Sequence, residues 1–280
     1  MEGKKHGALA ITEPETGSDV ANICTFAEDK GDHFVINGSK NFITNGYTSD
    51  YIITACKTNK DAGAAGISLI VVDRNSEGLS AQKLDKLGWH ASDTAIIFYD
   101  NVKVPKEQLI GKQNQGFYYI MEQFALERLV LAISATAASE SALEYTLKYM
   151  SERSAFGKTI NRFQVLRHRI ADLATEIEIS KRFNYYVSDL YSKGEYRVKE
   201  CAMAKLKATE LSDRVVYECL QCFGGYGYME EYKISRMFRD SRLGTIGGGT
   251  SEIMKEIISK AVIDQFDFAG AASLLKRQTT

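Results

Sequence analysis

The sequence predicts an α+β protein, with an antiparallel β-barrel-like unit over residues 1–112 and an up-and-down four-helix bundle over residues 113–280. Two observations carry this. Turn signals and alternating β-rich runs crowd the first part, whereas a 3.6-residue apolar period governs the rest. A length of 280 residues with 44% hydrophobic and 25% charged residues also suffices for two ordinary globular cores.

In the first part, Lys30-Gly31-Asp32, Asn37-Gly38, Asn45-Gly46 and Ser76-Glu77-Gly78 read as turns. Between and after them lie "HFVING", "YIITACKT", "GISLIVVD" and "TAIIFYDNVKV", rich in the β-branched and aromatic residues that suit a pleated surface. After "VPKEQLIG" the pattern becomes helical. Gly116 to Glu152 reads as one long helix, and Phe163, Leu166, Ile170, Leu173 and Ile177 mark the apolar face of the next. Breaks at Ser154 to Gly157, Gly194, Gly224 to Gly227 and Gly244 to Gly249 divide the half into about four helices.

A formal net charge of −1 argues against a general nucleic-acid or anionic-membrane surface. No apolar run approaches the roughly 20 residues of a membrane span. The five cysteines, an odd number without a secretory pattern, fit reduced thiols in a cytosol-like compartment. Cys219 and Cys222 form a CxxC, but they share a helical stripe with Cys201, Ala204, Ala208, Leu211 and Val215, which favours core packing over zinc. The four histidines form no ligand cluster, so no metal site is expected.

"FALERL" places Glu127 on a helical stripe with Ile120, Phe124, Val130, Leu131 and Ser134, where a charge needs a job or a partner. "ITEPETGSD" (residues 11–19) reads as a surface turn, and Phe42 of "GSKNFITNG" is either core or an exposed stacking face. The glycines of "FGGYGYMEEY" follow no β-run, so they suit close backbone approach rather than a dinucleotide fold. "IGGGTSEI" is a glycine turn leading into a helix capped by Thr250 or Ser251, whose free N–H groups suit a polar ligand.

These motifs, with "LGWHASDT", "RSAFGKTINRFQ" and "RMFRDSRL", stand in the order seen in acyl-CoA dehydrogenases, and the resemblance runs from Gly7 to about Gln265. It implies an FAD enzyme that oxidises an acyl-CoA thioester to its trans-2-enoyl form and passes electrons to electron-transferring flavoprotein. A flavin-free subunit on the same scaffold and a flavin oxidase such as a nitroalkane oxidase are the alternative activities. Only the middle β domain and the C-terminal helical domain are matched, and the family's amino-terminal helical domain is not expected in this chain.

The resemblance assigns Glu127 as the base, because Gly248 occupies the later position from which many members supply it. "LERL" is similar to the isovaleryl and long-chain subgroup, whose base comes from the earlier helix, where apolar neighbours would raise a carboxylate toward neutral pKa. The other reading of Glu127 is an ion pair within the bundle. Ile11, Thr12, Gly17 and Ser18 are expected along the flavin and CoA region, and Phe42 and Thr44 beside the isoalloxazine ring. Phe42 stands where tryptophan is common, which keeps a ring face but removes the indole N–H.

Arg153, Phe156, Gln221 and Gly225 resemble residues that a neighbouring subunit offers to the ADP part of FAD, and Thr250 and Glu252 those at the last helix start. Ser18, Arg128 and Arg239 are expected near substrate, Arg239 being equally readable as a bundle ion pair. A homo-oligomer, dimer or tetramer, and a cytoplasmic location, or the mitochondrial matrix in a eukaryote, complete what the resemblance implies.

Overall fold

The computed structural model describes residues 3–268 and divides the chain into two compact units, Met1–Met121 and Glu122–Thr280. The first unit carries strands β1 (Gly7–Ala10), β2 (Phe26–Asp29), β3 (His33–Thr44), β4 (Tyr51–Lys57), β5 (Ile67–Asp73), β6 (Leu79–Lys83), β7 (Thr94–Pro105) and β8 (Leu109–Ile110). They form one sheet in the order β6-β7-β3-β2-β4-β5-β8, with β1 joined to β4. Alternation along β3 and β7 sends Phe34, Ile36, Ile97, Tyr99, Val102 and Val104 into a common core.

Two pairings depart from the antiparallel expectation. β1 runs parallel to β4 from Gly7 opposite Tyr51 to Ala10 opposite Thr54, and β2 meets β4 in parallel at Phe26 and Lys57. Antiparallel neighbours can be joined by tight turns that leave local signals, whereas a parallel pair is closed over a distance and leaves none. Two turn signals also resolve differently. Asn37-Gly38 lies inside β3 at a bulge, where Gly38 has φ +143° and a Cβ would stand 2.6 Å from Thr25 Oγ1. Asn45-Gly46 does turn the chain, but β3 and β4 are not sheet neighbours, so it closes no hairpin.

The helical part consists of α1 (Gly116–Glu152), α2 (Gln164–Ser192), α3 (Val198–Phe223), α4 (Lys233–Ser241) and α5 (Ser251–Val262), with a two-residue-strand hairpin, β9 (Ser154–Ala155) and β10 (Lys158–Thr159), after α1. Among the described residues three long helices and two short ones stand where about four were expected, because the glycine breaks leave only short segments beyond α3. Leu211, Val215, Val216, Cys219 and Phe223 of α3 pack with Ala142, Leu143, Leu173 and Ile177, and Cys201, Ala204 and Ala208 with Ala125, Leu129 and Ala132. Cys219 and Cys222 are buried free thiols, as their stripe predicts. No helix among the described residues is long and apolar enough to cross a membrane.

Candidate functional site

In the first unit the loop after β1 meets the middle of β3. Ile11 is buried, Thr12 half-buried, and Gly17 and Ser18 exposed. Glu13 and Lys40, neither singled out by the sequence reading, form a buried ion pair of 2.8 Å at the centre. Their tie to the strand is reinforced by the Asn41 N–H, which donates to Thr12 O at 2.8 Å. Burial works to raise the Glu13 carboxyl, but the Lys40 charge and hydrogen bonds from Lys40, Thr25 and Cys24 prevail and hold it below the ordinary carboxylate value.

Between Lys40 and Ile43 a second register shift sets Asn41 and Phe42 opposite Ile96 alone. Phe42 consequently adopts φ +60°, rare for a side chain with a Cβ, and its residue surface is 66% exposed. Thr44 is exposed and the intervening Ile43 buried, as strand alternation requires. Phe42 is therefore the exposed ring rather than the core residue.

In the second unit Glu127 lies on α1, solvent-exposed but with enough protein about it that desolvation raises its pKa above the ordinary carboxylate value, against the lowering charge of Arg128. The stripe around it is less apolar in effect than expected. Ile120 is buried, Phe124 and Leu131 are half-buried, and Val130 is 52% exposed. Among the described residues no salt bridge holds Glu127.

Arg128 is buried, lies over the Phe124 ring, and brings Nε to 3.5 Å from Gly248 O. Lys205 Nζ donates to the neighbouring Gly249 O at 2.6 Å. Burial, helped by the Arg128 charge, pushes the Lys205 pKa down to about 8. Gly248 and Gly249 both have positive φ, +65° and +95°. Thr250 caps α5 by accepting from the Ile253 N–H at 3.3 Å, while the buried Ser251 hydroxyl has no partner among the described residues. Glu252 is exposed in the first turn, its carboxylate favoured by its own backbone N–H and by Thr250.

A cavity of about 500 Å³ opens where α1 and α3 end, lined by Tyr149, Arg153, Ile160, Gln221, Cys222, Phe223, Gly224, Gly225, Tyr226 and Met229. It brings together three of the expected cofactor residues, Arg153, Gln221 and Gly225. Arg153 lies over the Tyr226 ring, and the Tyr149 and Phe223 rings stack at 4.1 Å. A Cβ on Gly224 or Gly225 would meet nothing, whereas one on Gly227 would strike Leu220 O at 2.7 Å. Only Gly227 thus serves close backbone approach. Phe156, 94% exposed at φ +52°, lies outside the lining, on the β9–β10 turn. Thr250 and Glu252 lie apart from this cavity, at the start of α5. Arg239 is gripped by Glu230 through two bonds of 2.7 and 2.8 Å, the ion-pair reading of that residue.

A mixed sheet unit with an exposed ring on a bulge, followed by a helical unit that carries Glu127 beside a buried arginine, defines an α+β protein. Family models agree on what kind. The acyl-CoA dehydrogenase middle domain matches residues 8–102 and the acyl-CoA dehydrogenase C-terminal domain residues 114–263. The chain belongs to the acyl-CoA dehydrogenase family. It is 42% identical to the mitochondrial long-chain specific acyl-CoA dehydrogenase of Sus scrofa over 264 residues, 93% of this chain and 61% of that protein. It is 40% identical over 260 residues, 92% of this chain and 69% of the relative, to the caffeyl-CoA reductase-Etf complex subunit CarC of Acetobacterium woodii. The crystal structure of acyl-CoA dehydrogenase from Geobacillus kaustophilus superposes with a TM-score of 0.90 at 45% identity, covering 91% of this chain and 68% of that one. The chain therefore spans about three fifths of the length of its long-chain relative.

Proposed function

We propose that this chain carries out the FAD-dependent α,β-dehydrogenation of an acyl-CoA thioester, with Glu127 as the base. The observation that carries the reading is the Glu127 carboxylate itself, raised by desolvation, unpaired in any salt bridge among the described residues, and placed on α1 beside the buried Arg128. A carboxylate so raised can accept a proton from the carbon next to a thioester carbonyl, and the electron pair left behind forms the α,β double bond. Bound FAD supplies the acceptor for the hydride that leaves the β-carbon. Arg128 balances the charge next to the base and, through Gly248 O, ties the helix to the glycine turn.

Features of each unit support flavin binding. The exposed Phe42 ring and Thr44 offer a face for the isoalloxazine, with Ile11, Thr12, Gly17 and Ser18 on the adjoining loop and Ser18 also toward CoA. The second unit offers Arg153, Gln221 and Gly225 around an open cavity, with Phe156 nearby, for the ADP part of a neighbouring copy's FAD. Thr250 and Glu252, beside an orphaned Ser251 hydroxyl, add donors and acceptors at the α5 start. Arg239, engaged by Glu230, suits holding the site in shape more than touching substrate. On this reading residues 1–112 are the middle domain and 113–280 the C-terminal domain of a homo-oligomer, dimer or tetramer. Electron-transferring flavoprotein is the proposed acceptor, supported by the relative that is a subunit of a reductase-Etf complex. A long or branched acyl chain, in the cytoplasm or a mitochondrial matrix, fits the position of the base and the long-chain relative.

The test is the visible spectrum of the chain with FAD under anaerobic conditions. Addition of a series of acyl-CoAs is expected to bleach bound flavin for at least one thioester, and Glu127→Gln to hold FAD without bleaching. Normal bleaching by that variant would remove Glu127 as the base, and a chain that holds no flavin would make it a non-catalytic member.

A further inference from the structure

We infer that the buried Glu13–Lys40 pair is a positioning device that sets the backbone of Ile11, Thr12 and Phe42 before any flavin arrives. The inference rests on the flavin reading above for what the pair is set to receive.

Lys40 is fully buried and Glu13 is 5% exposed. Among the described residues four hydrogen bonds of their charged groups join backbone or each other. Lys40 Nζ donates to Glu13 Oε1 and to Ile11 O, each at 2.8 Å. Glu13 Oε2 accepts from the Cys24 N–H at 2.5 Å, and Oε1 from the Thr25 N–H at 2.9 Å. Three stretches of chain, residues 11–13, 24–25 and 40–41, are thereby held at one point, with the Asn41 N–H closing on Thr12 O.

Burying two charges is a poor route to stability, since a well-packed apolar pair is often as good or better. What such a pair does well is fix direction, because each charged atom accepts only certain partners at certain angles. The segments fixed here carry the half-buried Thr12 and lead to the exposed Phe42. Lys40 is two residues before Phe42, whose left-handed backbone persists only if its surroundings over-determine it. Ile11, whose carbonyl Lys40 holds, precedes Thr12. A buried pair that served folding alone would have no need to converge on the two stretches that carry Thr12 and Phe42.

The experiment uses the full chain and the double variant Glu13→Gln with Lys40→Met, which removes both charges without stranding one. The expected result is a folded protein whose FAD dissociation constant rises about tenfold or more, the loss of one charge-assisted bond. Its Asn41 amide should exchange with solvent faster by a similar factor, while core amides of β5 and β7 are unchanged. A folded double variant with wild-type FAD affinity and wild-type Asn41 protection would overturn the inference. Should the double variant fail to fold, the wild-type chain decides. A pre-set loop gives the Asn41, Cys24 and Thr25 amides the same slow exchange before and after FAD is added, and protection that arises only with FAD overturns the inference. If the wild-type chain binds no FAD, the flavin reading fails, and the exchange measurement on the double variant still decides whether the pair sets the loop.

Discussion

Lys205 Nζ lies 2.6 Å from Gly249 O with its side chain wholly inside the protein. Its pKa of about 8 stands well below the ordinary 10.5, because burial disfavours the charged form. Between those two pH values the unfolded chain binds more protons at this site than the folded one, so the lysine makes stability rise with pH across that window. Chemical denaturation of the wild type and of Lys205→Met from pH 7.5 to 10.5 is expected to show a wild-type stability that gains on the variant as pH increases. A constant difference would contradict the depressed pKa.

Glu127→Gln has two expected consequences. Substrate-dependent flavin reduction falls by about 10²–10⁴-fold, the usual contribution of a positioned base. Because the folded pKa is raised, ionising Glu127 costs the folded state stability as pH climbs from about 4.5 through that higher value. The glutamine variant lacks that cost, so its Tm at pH 7 is expected to equal or exceed the wild type's. Stopped-flow absorbance and calorimetry check the two parts.

Gly225→Val separates folding from binding. A Cβ there meets nothing within 4 Å and the backbone φ is not positive, so the apo chain is expected to keep its stability within about 0.5 kcal/mol. The added side chain occupies the cavity proposed for the ADP part of FAD and should weaken FAD binding at least tenfold, measured by titration of flavin fluorescence.

Phe42→Gly relieves a left-handed residue of its Cβ at about 1 kcal/mol or more in the apo chain's favour, offset by glycine's greater freedom when unfolded. The exposed ring loses little packing. Unchanged or raised Tm together with weakened flavin binding is the expected pair of results, and a marked fall in Tm would show that the ring is part of the core.

Local chemistry was legible in the sequence, and burial of charge was not. Helix α1 runs over the full stretch read from its period, and Thr250 caps α5, because the adjacent residues suffice to specify both. Lys40 escaped notice although alternation with Phe34 and Ile36 puts it on the inward face of β3, and Lys205 although it sits one turn beyond Cys201 on the apolar stripe of α3. In both cases periodicity carried the signal, and the expectation that lysines face water masked it. The parallel pairing of β1 with β4 and the bulge at Phe42 depend on partners 44 and about 55 residues away, beyond what local pattern encodes.

That first pairing also bears on the order of events during synthesis. β1 emerges from the ribosome long before β4, and Gly7 can take its place against Tyr51 only when the later strand exists. Contacts so distant in the chain form slowly. Ile11 and Thr12 follow β1 directly, so their loop remains unanchored in the nascent polypeptide until the sheet closes. If Ile11 and Thr12 line the flavin as proposed, capture of the cofactor waits on closure of the sheet.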